Sequence, residues 1–225
     1  VVGAGRTDAG VHATGQVAHF DTTWTRTRGC AALERALNAV LPADVAVSGV
    51  RLAPPGFPAR HSALGRCYRY VVWTGSTRSP LLRRTTLHGP WALDVPAMRR
   101  AAEILVGEHD FGGFGVPASP GGATVRRLDR VDIDADAGQL VFELEGSGFL
   151  RHQVRRTVGL LLDAGLGKTS PEMVRQVLAR LPGAPVPRRV AARGLVLVAV
   201  RYPPDDENEM ARLEGRDSWT RGSER

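Results

Sequence analysis

At 225 residues, with 43% hydrophobic and 24% charged residues, the chain has the make-up of one large or two small globular domains able to bury a core. It carries no apolar run long enough to span a bilayer and opens on no charged-then-apolar leader. Its two cysteines, Cys30 and Cys67, lie far apart with no CxxC or histidine pattern, so a membrane partner, secretion, a disulfide framework and a metal site are all unexpected, and a reducing cytoplasm is the default.

The net charge of +7 rests almost wholly on arginine, since Lys168 is the only lysine. That fits a chain that grips phosphates with planar guanidinium forks. It fits equally a genome-wide preference for arginine and alanine, and composition does not choose between the two.

The first informative stretch is "GAGRTDAGVHATGQVAHF", residues 3–20. A phosphate-cradling loop would follow its glycines with Lys and Ser or Thr, and none stands there. A paired-carboxylate hydrolase would place a second acid close by, and the next is Asp21. What remains is one carboxylate, Asp8, with the guanidinium of Arg6 two residues away on backbone that glycine lets bend sharply. Asp8 is then either a turn residue bonded to backbone N–H groups or a charged group aimed at a substrate. His12 reads as an ordinary polar partner, and Gln16 is either that or part of the same site.

Downstream, "CAALERALNAVL" has helical periodicity, with Leu33, Ala36, Leu37 and Val40 on one side. Strand signals follow at "DVAVSGVRL" and "RCYRYVVWT", the second preceded by "FPARHSALG". Alternation along it puts Tyr68, Tyr70 and Val72 on one face and Cys67, Arg69 and Val71 on the other. Tyr68 is either core or a flat partner for a flat substrate. Arg60, Arg66 and Arg69 give this region more basic density than a structural strand needs.

Residues 75–90 read as a loop between two halves, and 115–123 as a second loop. Asp94 caps a helix over "VPAMRRAAEILV" that stops at Gly107. Strands are expected at "RRLDRVDIDA", "QLVFELEG" and "GLVLVAVRY", the first two joined into a hairpin by Ala137 and Gly138. "FLRHQVRRTVGLLLDAG" reads as a helix with Leu150, Val154, Val158, Leu161 and Leu162 inward. Arg151 and Arg155 then stand at i, i+4, with His152 and Arg156 one step round. This is a solvated basic face, or a surface for a polyanion with the "GSGF" amides at the helix start meeting a phosphate. A last helix follows Ser170 and Pro171, with Val174, Val177, Leu178 and Leu181 inward. From 204 to 225 the chain is polar and expected to be disordered. The element order is α+β.

The run Gly-Arg-Thr-Asp-Ala-Gly-Val-His closely resembles the signature of the TruA family of tRNA pseudouridine synthases. The resemblance continues through "NAVLPADVAV", "FPARHSALGRCYRY", "LVGEHDFGGF", "TVRRL", "FLRHQVRRTVG" and "RGLVLVAVRYP", covering residues 1 to 203. It implies two similar α+β halves around a continuous antiparallel or mixed sheet flanked by helices. Residues 1–75 would be the remainder of the N-terminal catalytic half, and 76–203 the C-terminal half. It also implies a cofactor-free, metal-free isomerase acting on uridines at tRNA positions 38, 39 and 40, as a homodimer with tRNA lying across both subunits.

By the family motif, Asp8 matches the catalytic aspartate, Arg6 its neighbour and Arg155 the arginine that pairs with it. Tyr68 matches the active-site tyrosine. Arg60, Arg66, Arg151, His152 and Arg156 are the expected RNA contacts. His61 and Gln153 depart from the usual pattern, where an aromatic ring and a methionine are commoner. Family members also carry a strand, a turn and a helix ahead of the aspartate loop, so either a reading frame that starts short or a truncated chain is expected. The alternative reading is a non-catalytic RNA-binding relative that keeps the scaffold.

Overall fold

A computed structural model describes residues 1–24 and 28–204. The strands in chain order are β1 (Val2–Gly3), β2 (His12–Ala13), β3 (Ala18–His19), β4 (Gly65–Trp73), β5 (Leu87–His88), β6 (Gly107–Asp110), β7 (Val125–Asp136), β8 (Gln139–Gly146) and β9 (Leu195–Arg201). The helices are α1 (Cys30–Val40), α2 (Val95–Leu105), α3 (Gln153–Gly165) and α4 (Pro171–Leu178). The tail that the sequence marks as disordered lies, from residue 205 onward, outside the described residues.

The fold is α+β, and its chain divides into two compact units: Val1–Ala4 with Val17–Ser62, and Gly5–Gln16 with the residues from Ala63 onward. The boundary read from the sequence at 75/76 falls inside the second unit. β4 is tied there by pairing with both β8 and β9.

In the first unit, β1 and β3 form an antiparallel pair, extended by the Ala4 amide donating to Val17 O at 2.8 Å. The strand expected over 44–52 is not formed. Its alternating residues find no partner strand, and α1 side chains take the place of a ladder. Asn38 donates to Val47 O and accepts from Val47 N, both at 2.7 Å, and Glu34 accepts from Val50 N at 3.0 Å. One amide side chain thus offers Val47 the donor and acceptor that a neighbouring peptide would. Of the apolar side expected for α1, Leu33 is buried, whereas Val40 is 81% exposed.

The second unit is built on one mixed sheet in the order β2-β9-β4-β8-β7-β6, with β5 also on β4. The β2–β9 and β4–β5 pairs are parallel and the rest antiparallel. The hairpin expected between β7 and β8 is present. Ala137 and Gly138 both take positive φ, 46° and 78°, as a two-residue turn matched to strand twist requires.

Alternation sorts the sheet faces as expected. Tyr68, Tyr70 and Val72 of β4 and Leu140, Phe142 and Leu144 of β8 are buried, and across the pair Tyr70 faces Phe142 and Tyr68 faces Leu144. On the opposite face Arg69 pairs with Glu143 at 2.6 Å and Arg201 with Glu145 at 2.8 Å.

Two helices begin where capping chemistry places them. Asp94 accepts from Ala97 N at 2.9 Å with Pro96 in the first turn of α2, and Ser170 accepts from Met173 N at 3.2 Å ahead of Pro171 in α4. Met98, Ala101, Ala102 and Leu105 of α2 and Val174 and Val177 of α4 join the core. Leu181, expected inward, is half exposed because α4 ends at Leu178 and the chain then turns at Arg180, φ 52°.

The largest difference concerns α3. It begins at Gln153, not at Phe149, and buried residues occupy nearly every side of it, including Thr157, Leu160 and Ala164. The sequence shows an amphipathic basic helix. The structure shows a core helix whose two arginines, Arg155 and Arg156, are both partly buried.

Candidate active site around Asp8

Residues 5–16 form a loop closed at its base by Gln16, which accepts from Gly5 N at 3.1 Å and donates to Gly5 O at 2.9 Å. At its tip the Val11 amide donates to Asp8 O at 2.9 Å and Gly10 takes φ 82°, which places Asp8 on a tight turn. The returning arm lies on the sheet. β2 pairs with β9, and the Thr14 and Gly15 amides both donate to Leu197 O. A Cβ on Gly15 would stand 2.1 Å from Val198 O, so only glycine permits this approach.

The Asp8 carboxylate reaches α3. Its Oδ2 accepts from Arg155 Nη1 at 3.2 Å and lies 2.9 Å from His152 Nδ1, while Oδ1 takes no hydrogen bond among the described residues. Arg155 is 12% exposed, His152 17% and Asp8 27%, so the ion pair is sheltered and the carboxylate is the most open member. Arg155 is anchored from behind by Nε donating to Val190 O at 2.7 Å.

His152 stands just ahead of α3 in the left-handed region, φ 73° and ψ −4°. Two contacts hold the chain there: Gln153 Oε1 accepts from Leu150 N at 2.8 Å, and Arg151 and Val116 exchange backbone bonds at 3.0 and 3.1 Å.

Tyr68 lies on the buried side of β4, its ring edge-on to Phe149 with centroids 5.2 Å apart. A Cβ on Gly5 would come within 3.5 Å of its hydroxyl, so that hydroxyl touches the foot of the Asp8 loop. Tyr70 is spent differently. Its hydroxyl donates to Ala191 O at 2.8 Å, and burial raises its pKa. Burial also pushes the Cys67 thiol up to about 11, with Glu143 and Glu145 adding to it, so Cys67 is no thiolate nucleophile.

Of the residues singled out from sequence, Asp8, Arg155, His152 and Tyr68 gather around this loop. Others do not. Arg6 is exposed and makes no ion pair with Asp8 among the described residues; the two groups that hold the carboxylate are Arg155 and His152, both on Oδ2. Arg151 lies outside α3, so it is not the i, i+4 partner of Arg155, and its side chain is exposed.

Arg66 donates to the carbonyls of Ala63 and Ser147 at 3.2 and 3.0 Å. Arg156 donates to Gly113 O at 3.4 Å, with its Nε buried and unpartnered among the described residues. Each thus bonds backbone carbonyls through Nη1. Arg60 belongs to the first unit. The "GSGF" glycines are too far ahead of Gln153 to supply the amides of the α3 start. Sequence reasoning missed Arg189, whose Nη1 lies 2.9 Å from His152 Nε2. Nothing in "PRR" (187–189) sets it apart from the chain's other arginines.

A family model described as tRNA pseudouridine synthase matches residues 101–203. The chain is 44% identical to tRNA pseudouridine synthase A of Geobacter sulfurreducens over 199 residues, 88% of this chain and 81% of that protein. The protein of the same name from Syntrophotalea carbinolica is 44% identical over 92% of this chain and 81% of its own length. The chain belongs to the tRNA pseudouridine synthase A family. Its counterpart in Frankia casuarinae is 46% identical over 91% of this chain and 74% of that relative. Membership in this synthase family accords with the site's chemistry: one carboxylate, no second acid paired with it among the described residues, and the Tyr68 hydroxyl at the foot of the loop. Among the described residues no group of three or more His, Cys, Asp and Glu side chains is placed to hold a metal ion, and no helix is long and apolar enough to cross a membrane.

Proposed function

We propose that the chain isomerises uridine to pseudouridine in tRNA, at positions 38, 39 and 40 of the anticodon arm, as a cytoplasmic homodimer needing no cofactor. The observation that carries this reading is Asp8, held by Arg155 and His152 through one oxygen while the other takes no hydrogen bond among the described residues, on a loop whose foot meets the Tyr68 hydroxyl.

The reaction breaks N1–C1′, turns the base and joins C5 to C1′; the C5 proton is lost and N1 gains one. Nothing is oxidised or hydrolysed, so one carboxylate suffices, whether it attacks C1′, adds to the base or removes the 2′-hydrogen. Arg155 and its anchor keep the carboxylate in place when the site closes over a substrate and loses water. A uridine must leave the stack to reach Asp8, and Tyr68 offers its ring to the flipped base. Arg6 and Arg151, exposed and unpaired among the described residues, and Arg60 of the first unit are the proposed phosphate contacts. The two-half division at 75/76 belongs to this proposal as well.

Incubation with anticodon-arm transcripts, followed by carbodiimide mapping of pseudouridine, tests the reading. Modification at 38, 39 and 40 is expected. Tight RNA binding with no new pseudouridine would replace it by the non-catalytic relative.

A further inference from the structure

His152 lies between two charged groups that demand opposite things of its ring. Asp8 Oδ2, at 2.9 Å from Nδ1, can only accept, and Arg189 Nη1, at 2.9 Å from Nε2, can only donate. The Nε2–H tautomer would set two donors face to face at Arg189 and a lone pair against the carboxylate. The doubly protonated ring would set an N–H against the guanidinium. Only the neutral Nδ1–H tautomer satisfies both contacts.

The surroundings are built to keep this arrangement. Arg189 sits on a strap pressed onto α3: a Cβ on Gly159 would stand 2.0 Å from Arg188 O. Both neighbours of Arg189 are fixed. Arg188 donates to Asp163 Oδ1 at 2.8 Å, and buried Val190 is joined to Arg155 twice: its carbonyl accepts from Arg155 Nε at 2.7 Å and its amide donates to Arg155 O at 3.4 Å. His152 holds a left-handed φ of 73°, a conformation that costs free energy in any residue but glycine and persists only where its surroundings enforce it.

We propose that His152 is a positioning residue, not an RNA contact: fixed as the Nδ1–H tautomer by Arg189, it joins Arg155 in occupying Asp8 Oδ2 and leaves Oδ1 as the reacting oxygen. The inference deepens the proposed isomerase function and rests on it for the role of Oδ1; the tautomer itself does not depend on it.

The test pairs a spectroscopic with a kinetic readout. In ¹⁵N-histidine-labelled full chain, long-range proton–nitrogen correlation spectra, assigned by the signal that His152→Asn removes, should show the Nδ1–H form for His152. Arg189→Met should let a proton reach Nε2 while Nδ1–H stays on Asp8 Oδ2. His152→Asn and His152→Gly both suit a left-handed backbone, but only Asn keeps a donor at the Nδ1 position. With tRNA as substrate, His152→Gly should lose about tenfold to a hundredfold in kcat with KM little changed, and His152→Asn should restore most of it.

An Nε2–H or charged His152 in the wild type overturns the proposal, as does equal kcat for the Gly and Asn variants. If the wild type made no pseudouridine, the function reading would fall, and the spectra alone would decide the tautomer.

Discussion

Two aspartates of this chain each meet an arginine, and the way each is held differs. Asp110, at the end of β6, spends both oxygens: Oδ1 accepts from Gly112 N at 2.8 Å and Oδ2 from Arg180 Nη1 at 3.1 Å. The Thr124 hydroxyl, with Gly112 and Arg180, holds its carboxyl below the ordinary 3.8 against the opposing effect of burial. It caps a short 3₁₀ turn (Phe111–Gly113) and is fully employed. Asp8 directs both of its partners to a single oxygen. An ion pair therefore does not mark a functional carboxylate. What sets Asp8 apart, and what the proposed function uses, is an oxygen without a partner among the described residues on a carboxylate whose other oxygen is doubly held.

The sharpest way to break the comparison is to remove each charge in turn. Asp8→Asn should lower isomerisation by on the order of 10³-fold or more, because an amide supplies neither nucleophile nor base. tRNA affinity should stay within about threefold, since phosphate contacts dominate binding. Tritium release from C5-labelled tRNA and filter binding read the two. Residual turnover within tenfold of wild type would put Asp8 on the same footing as Asp110.

Tyr68 should show the next largest effect. Tyr68→Leu is expected to lose the stacked base, worth about 1–3 kcal/mol, whereas Tyr68→Phe keeps the ring and is expected to bind normally but turn over slowly. If Tyr70→Phe proved the more damaging change, Tyr68 would not be the ring that meets the substrate.

Asp110→Asn should leave turnover per folded molecule unchanged and lower stability by about 1 kcal/mol through the weakened cap. The sign of its pH dependence follows from the direction of the shift. A carboxyl held below 3.8 in the folded state contributes stability that is present above that value and lost as pH falls through the folded value. The difference in Tm between wild type and Asp110→Asn should therefore shrink as pH is lowered toward about 3. A gap that widens on acidification would contradict the capping role.

The smallest expected effect separates the free arginines from the employed ones. Arg151→Ala should reduce the salt slope of tRNA binding by about 1, while Arg156→Ala, which empties a buried contact to Gly113, should act on stability instead. Fluorescence titrations at several salt concentrations, beside thermal melts, distinguish the two.

Much of this was legible in the chain. The sheet-forming runs of β4, β7, β8 and β9 follow from alternation, and α2 and α4 from their Asp94 and Ser170 caps, because those signals are local. The identities of Asp8, Arg155 and Tyr68 came from the resemblance to a family. What escaped was decided by tertiary contacts. Whether residues 44–52 become a strand depends on a neighbour to pair with, and Asn38 took that place. Whether Arg6, Arg66 or Arg156 stands free depends on carbonyls and acids that other segments bring. Sequence periodicity cannot reveal that α3 is covered nearly all round, nor that residues 187–190 lie across it.

The pairing of β2 with β9, and of Asp8 with Arg155, bears on how the protein comes into being. The two ends of that ion pair are 147 residues apart in the chain. At translation rates of about 5–20 residues per second, Asp8 leaves the ribosome on the order of ten seconds before its arginine does. It waits longer for β9, the strand on which the loop's returning arm lies. Until then the loop has a clasp in Gln16 but no floor. Nascent chains lacking β9 should therefore carry a formed β7–β8 hairpin and no competent site. Refolding should recover secondary structure well ahead of activity, because the most distant contacts in the chain are the ones that complete the chemistry.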